Sequence, residues 1–261
     1  MDDYTTLEFS IEDNLARITL NRPEAANGFN AVMAKELSDA ARRCDLDPNV
    51  KTVLLMGNGR FFCGGGDLKE MSRYGEQSSG KLKELADIFH KTITTFAHMD
   101  ATLVTAVNGI AAGAGFSLAL IGDIVIASAG TTFTMAYTKV GLSPDGGATY
   151  ILPRLVGMRR AQELIYTNRQ LSAETALEWG LLTQVVPEEE LGAVALGTAR
   201  KLASGPGMAH AGVRNLLRNS FSNSLEVQLE LEARSISRCA GFADGREGML
   251  AFVEKRSPRF I

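Results

Sequence analysis

The sequence predicts an α/β fold in which strand, strand and helix recur, followed by a helical C-terminal region. Three observations carry this. Apolar and polar residues alternate over residues 7–11 and 15–20, the period of half-buried strands. Short apolar runs are then interleaved with stretches of helical period, and crossovers of that length imply parallel strands. Beyond Pro153 the helical period dominates.

The two alternating segments form a hairpin turning near Glu12-Asp13-Asn14. Asn21-Arg22-Pro23 breaks the chain, and a helix starts after Asn30. Its apolar residues Met33, Leu37, Ala40 and Cys44 recur at intervals of four, three and four, which makes one buried face. Asn30 is placed to cap it by accepting from the free N–H groups of the first turn. Residues 53–56 read as a buried strand, and residues 82–99 as a helix with Leu85, Phe89, Ile93 and Phe96 on one face. The polar stretch 74–83 between them is expected to be a mobile cover over a binding pocket. Residues 103–107 (LVTAV), 124–127 and the neighbourhood of Thr132-Phe133 complete the strands of the first half. Helices are expected over residues 159–166, 173–179, 188–202, 208–218 and 225–238, with a short strand at 183–186 ended by Pro187. No Gly/Ser linker interrupts the chain. Residues 1–200 therefore read as the core, and residues 201–261 as a helical region packing on the core or on a neighbouring subunit.

With 261 residues, 45% of them apolar, the chain is long enough to bury a large core. Its net charge of −3 argues against nucleic acid as the main partner, which needs a clustered cationic surface. Residues 101–122 carry no charge, but Asn108 and four glycines interrupt them, so they read as a buried strand and a small-residue helix, not a membrane span. Three cysteines with no CxxC pair support neither a disulfide framework nor a zinc ribbon. The acidic N-terminus lacks the apolar run of a leader peptide, and a cytoplasmic location is the expectation.

Three glycine clusters stand out: Cys63-Gly64-Gly65-Gly66-Asp67, Gly113-Ala114-Gly115 and Asp145-Gly146-Gly147. The first two fail the GxGxxG dinucleotide pattern, and no phosphate-loop lysine follows any of them. Glycine here lets backbone approach a ligand, or simply makes tight turns and close packing. N–H groups at the start of a helix are unpaired. Two of them converging from separate loops would form an oxyanion hole, stabilising a carbonyl oxygen as it becomes an enolate.

Four segments, in order along the chain, carry a resemblance. Asn21-Arg22-Pro23-Glu24-Ala25-Ala26-Asn27, Phe61-Phe62-Cys63-Gly64-Gly65-Gly66-Asp67-Leu68-Lys69-Glu70-Met71, Val107-Asn108-Gly109-Ile110-Ala111-Ala112-Gly113-Ala114-Gly115 and Glu247-Gly248-Met249-Leu250-Ala251-Phe252-Val253-Glu254-Lys255-Arg256 together resemble the enoyl-CoA hydratase/isomerase (crotonase) superfamily. The resemblance implies a spiral of ββα units with a helical C-terminal region, assembled as a homotrimer or dimer of trimers. It implies an acyl-CoA substrate whose thioester carbonyl lies between the N–H groups of Gly66 and Ala114. Ala25, Ala26, Gly64, Asp67 and Leu68 would contact coenzyme A, with Phe252 and Lys255 completing that site. No metal or redox cofactor is implied, because the enolate is held by backbone donors.

The carboxylates bear on which reaction. Hydratases of this family use two glutamates, and this chain has Ser117 and Tyr137 in their places. Neither is a good base at its ordinary pKa, so two-carboxylate hydration is disfavoured. Asp145, in Ser143-Pro144-Asp145-Gly146-Gly147, stands where hydratases have glycine. That motif is similar to the single-aspartate isomerase branch that includes the ring-opening isomerase of phenylacetate breakdown. The expectation is therefore a Δ3-Δ2 enoyl-CoA isomerase with Asp145 as acid and base. A rival is the 4-chlorobenzoyl-CoA dehalogenase branch, in which such an aspartate is a nucleophile and a histidine serves a water. His90 would take that part here, while Tyr137 replaces that branch's tryptophan. A third reading keeps the pocket but not the chemistry, as an acyl-CoA-binding subunit.

Overall fold

The computed structural model describes residues 4–261; the acidic residues 1–3 of the N-terminus lie outside them. The chain opens with the expected hairpin, β1 (Leu7–Glu12) against β2 (Leu15–Leu20). Its two-residue turn holds Asp13 and Asn14 at φ 49° and 64°. Two successive left-handed residues are what a turn matched to strand twist requires. Helix α1 (Ala31–Leu46) starts where Asn30 caps it, the side-chain oxygen accepting from the Met33 N–H at 2.9 Å.

From there the chain spirals. β3 (Thr52–Gly57) and β4 (Phe61–Cys63) lead into the single turn α2 (Leu68–Met71) and the long α3 (Ser78–His98). β5 (Thr102–Val107) and β6 (Ile110–Ala112) lead into α4 (Ala114–Ala119), and β7 (Ile124–Ser128) and β8 (Thr132–Thr134) into α5 (Ala148–Val156) and α6 (Met158–Thr167). Each ββ pair lays its first strand in one sheet and its second in another. The six-stranded sheet has the order β1-β2-β3-β5-β7-β10, closed by β10 (Gln184–Val186), and is parallel from β2 onward. The four-stranded sheet runs β4-β6-β8-β9, with β9 (Leu171–Ser172) antiparallel at its edge. This is an α/β fold of repeated ββα units with a helical C-terminal region.

The main core includes Leu55, Phe62, Phe96, Leu103, Val107, Phe116 and Phe133, all buried. After α7 (Ala173–Glu178), helix α8 (Leu191–Ala203) covers Leu15, Leu54, Val104, Ile126 and Val186 of the six-stranded sheet. It does so with Leu191, Ala195, Ala199 and Ala203, a four-residue spacing of mostly small side chains that keeps the contact close. Next come α9 (Gly207–Asn219), α10 (Leu225–Gly241) and α11 (Ala243–Val253). Arg214 ties α9 to the core: its guanidinium donates to the carbonyls of Phe96 and Met99 and lies 2.7 Å from the Asp123 carboxylate. Helix α10 buries none of its residues, and Leu225, Ile236, Phe252 and Val253 all stand exposed.

Four local expectations are revised. Residues 72–77 form a 3-10 segment kinked at Gly75 (φ 51°, ψ −128°) and α3 starts at Ser78, so the polar stretch 74–83 is mostly helical. The three-residue strands β4 and β6 stand between the expected strands and the first two glycine clusters; they are too short to show a period. Helix α5 begins before Pro153 and carries it inside, at the cost of one intrahelical hydrogen bond. Finally, the C-terminal motif lies on a helix of its own, α11. As for the uncharged stretch 101–122, it holds β5, β6 and α4, and no helix among the described residues is long and apolar enough to cross a membrane.

Candidate active site

Two loops meet where the strands of the small sheet end. In the first, Phe29 pairs with Gly66 as a parallel bridge: the Phe29 N–H donates to the Gly65 carbonyl, and the Asp67 N–H donates to the Phe29 carbonyl. In such a bridge the intervening N–H points to the opposite side, so the Gly66 N–H faces away from Phe29. In the second loop, Ala114 opens α4 directly after Gly113, whose angles (φ 52°, ψ −125°) no ordinary side chain tolerates well. As the first residue of a helix, Ala114 has no intrahelical acceptor for its N–H. Neither this N–H nor that of Gly66 meets an acceptor among the described residues.

The loops touch through glycine. A Cβ on Gly65 would stand 2.8 Å from the Ala112 carbonyl oxygen and 3.5 Å from the Ala114 nitrogen; one on Gly115 would stand 2.2 Å from the Cys63 carbonyl oxygen. The absence of side chains at these two positions is what lets the two loops, each carrying an N–H without an acceptor, come into contact.

The segment expected to hold coenzyme A is welded to the same loop. Ala26 adopts a left-handed conformation (φ 53°) and its carbonyl accepts from the Gly64 N–H at 2.8 Å. Arg22 reaches across from beside Ala25, donating to the Gly28 carbonyl and to Asp67 Oδ2 at 3.0 Å. Asp67 also caps α2 by accepting from the Glu70 N–H, leaving Leu68 exposed on the first turn. Burial alone would raise the Asp67 carboxyl. The hydrogen bonds from Glu70 and Arg22, with the Arg22 charge, outweigh burial and hold it below its ordinary value. Arg22 and Asn27 are positioning residues that the sequence did not single out. Asn27 is wholly buried and donates to the carbonyls of Asn58 and Phe61. Its sequence signal is its place at the end of the first family-like segment, which gives no hint of these contacts. Phe252 and Lys255 stand apart from this cluster within the chain: α11 packs against α10, and Phe252 is 86% exposed.

Behind the N–H pair lies a hydrogen-bonded chain of hydroxyls. Ser117 on α4 and Tyr137 face each other at 3.0 Å, so the two positions that would carry glutamates in a hydratase are indeed neighbours. Tyr137 donates to Asp145 Oδ1 at 2.7 Å, and Ser117 donates to the Asp145 carbonyl at 2.9 Å. Burial raises the Tyr137 phenol well above its ordinary value, and the nearby Asp145 charge raises it further, so it remains a donor. Across from them, His90 Nε2 on α3 lies 3.6 Å from Asp145 Oδ2 and accepts from the Gly146 N–H at 3.1 Å. Gly146 and Gly147, at φ 62° and 79°, make the turn that aims Asp145. An apolar groove of about 880 Å³ opens beside Gly147, walled by Ile93, Ala97, Ile151, Leu155 and Val213.

Two N–H groups without acceptors on touching loops, with a single supported carboxylate nearby, are an arrangement that would suit enolate chemistry on a thioester. Residues 10–261 match the family model described as enoyl-CoA hydratase/isomerase. The chain belongs to the enoyl-CoA hydratase/isomerase family. It is 41% identical over 255 residues to 1,2-epoxyphenylacetyl-CoA isomerase of Escherichia coli, covering 96% of each chain. It is 32% identical to trans-2-decenoyl-acyl-carrier-protein isomerase of Streptococcus mutans, over 99% of this chain and 98% of that one. Among solved structures, enoyl-CoA hydratase from Bacillus anthracis superposes with a TM-score of 0.92 at 31% identity, covering 98% and 99% of the two chains. Membership in this crotonase superfamily accounts for the ββα spiral and brings with it hydratase/isomerase-type enzyme activity.

Proposed function

We propose that this family member is a Δ3-Δ2 enoyl-CoA isomerase. The observation that carries the reading is the state of Asp145. Oδ1 is taken by Tyr137, while Oδ2 has no hydrogen-bond donor among the described residues and the side chain is 31% exposed. A carboxylate held by one oxygen with the other free is suited to shuttle a proton. Asp145 removes a proton alpha to the thioester carbonyl. The electron pair moves into a dienolate whose oxygen accepts from the Gly66 and Ala114 N–H groups. Asp145 then returns the proton at the gamma carbon, which leaves the double bond conjugated and the carboxylate restored. Ala25, Ala26, Gly64, Asp67 and Leu68 hold coenzyme A on this reading. The exposed apolar faces of α10 and α11 form the subunit interface of a homotrimer or dimer of trimers, where Phe252 and Lys255 complete the coenzyme A site.

Replacement of both hydratase glutamates by hydroxyls that support Asp145 argues for isomerisation over hydration. Ultraviolet absorbance on mixing with a 3-enoyl-CoA tests it. Conjugation should appear and be abolished in Asp145→Asn, with acyl-CoA binding retained. Loss of conjugation from a 2-enoyl-CoA, unaffected by that substitution, would refute it; tight binding with no reaction on either substrate would assign the chain as a binding subunit. A dehalogenase-like reading has the approach of His90 to Asp145 in its favour. Chloride release from a 4-chlorobenzoyl-CoA would support it. Against it, the His90 lone pair already accepts from Gly146.

A further inference from the structure

The geometry points to His90 as a positioning residue, neutral and protonated on Nδ1, whose Nε2 lone pair holds the Gly146 N–H and so aims the Asp145 carboxylate. A peptide N–H only donates, so the 3.1 Å contact from Gly146 requires Nε2 to be the unprotonated nitrogen. The same Nε2 lies 3.6 Å from Asp145 Oδ2, beyond hydrogen-bond range, and a nitrogen that accepts from Gly146 cannot at the same time donate to Asp145. The two contacts are alternatives, and the structure adopts the first.

The remaining anchors of this turn show why the contact matters. Asp145 is held through Oδ1 by Tyr137, and its carbonyl accepts from Ser117 and from the Ala148 N–H. The next two residues, Gly146 and Gly147, both lie in the left-handed region and have no side chain to lock them. His90 supplies the tie on that side of the turn. A Cβ on Gly146 would stand 2.4 Å from the Phe89 ring and 2.9 Å from Ser117 Cβ, so the turn is pressed against α3 at the point where His90 grips it. With the backbone held by His90, Oδ2 stays unpaired and free for the substrate. In this arrangement His90 moves no proton itself.

This inference rests on the isomerase reading for its kinetic consequence but not for its structural content, and the two are tested separately. In protein labelled with nitrogen-15 at histidine, at a pH about two units above the ordinary imidazole value, long-range proton–nitrogen spectra should show His90 as the Nδ1–H tautomer. Loss of that signal in His90→Gln assigns it. An Nε2–H tautomer overturns the inference whatever the enzyme does. In the 3-enoyl-CoA assay, His90→Phe should lower kcat by roughly 10-fold with KM changed less than about twofold, because misaiming a reacting group costs rate more than binding. His90→Gln places an acceptor oxygen where Nε2 was and should restore kcat to within about threefold of the parent. Equal loss in both variants would assign the imidazole a proton-transfer role, and unchanged kinetics in His90→Phe would show that the contact positions nothing; either result overturns it. A parent protein that gives no conjugation from the 3-enoyl-CoA would sink the isomerase reading, and an Asp145→Asn protein that still isomerises would sink Asp145 as its proton shuttle, each leaving the His90 tautomer as found. His90 is 48% exposed, so neither variant leaves a core cavity.

Discussion

The Tyr137 phenol and the Asp145 carboxylate are joined by a 2.7 Å hydrogen bond to Oδ1. Burial, together with the adjacent Asp145 charge, keeps the phenol protonated. The bond therefore persists through any pH at which the protein is folded and Asp145 is ionised, and it leaves Oδ2 without a hydrogen-bond donor among the described residues.

Tyr137→Phe should keep the fold and reduce turnover. The loss removes a hydrogen bond to a charged group, worth about 1.5–3 kcal/mol, or roughly 10- to 100-fold in kcat. The ring still packs in its buried place, but its hydrogen bonds to Asp145 and Ser117 are lost, so the thermal midpoint should fall by a few degrees with the fold kept. Kinetics and a melting curve on one preparation check both; an unchanged kcat would remove Tyr137 from the site.

Gly115→Ala should be far more damaging than its size suggests. The new Cβ would meet the Cys63 carbonyl oxygen at 2.2 Å and Cys63 Cβ at 2.7 Å. The start of α4 must move off β4, taking the Ala114 N–H with it. Overpacking of this kind costs about 1–3 kcal/mol of stability. The activity loss should exceed what the unfolded fraction explains, as comparison of denaturant midpoints with residual kcat would show.

Acid should unfold the protein partly through Asp67. Its folded carboxyl is depressed, so below the ordinary carboxylate range the unfolded chain binds more protons than the folded one. The contribution of Asp67 is fully present above that range and is lost as pH falls through the folded value. Asp67→Asn should therefore destabilise at neutral pH and flatten the acid limb of a stability–pH curve. A parallel downward shift with no change of slope would show that Asp67 plays no part in that limb.

Thiol labelling should separate the three cysteines. Burial pushes both Cys44 and Cys63 up to about 12, whereas Cys239 is half-buried. A disulfide reagent should modify Cys239 first in native protein, and all three only in denaturant. Rapid native labelling of Cys63 would mean that the glycine loop opens.

Asn30→Ala should cost about 1 kcal/mol by uncapping α1, read as a lower denaturant midpoint with an unchanged slope. A null effect would mean that water replaces the cap.

The hairpin turn at Asp13-Asn14 and the cap at Asn30 were legible because their partners lie within a few residues in the chain. β4 and β6 were not, because three residues show no period, and their strand character comes from pairing with each other and with β8. Nor did Pro153 stop α5, since a helix packed on the core tolerates the loss of one hydrogen bond. In the site, Asp145, Ser117 and Tyr137 were legible one by one as motif positions. Their connection was not, and neither were the Asn27 and Arg22 contacts that hold the first loop.

By itself, then, the sequence determined the fold class, the family motifs and a lone acid in a glycine turn. The fold class and the glycine turn follow from periodicity, capping and residue type, which act over a few neighbouring positions, and the motifs from their resemblance to the family. Only the tertiary structure decided what that acid can do. The tie from Ser117 to the Asp145 carbonyl spans 28 positions of sequence, and the one from His90 to Gly146 spans 56. Contacts of about 3 Å across such separations exist only once the two sheets and the helices between them have packed, and no local pattern encodes that distance.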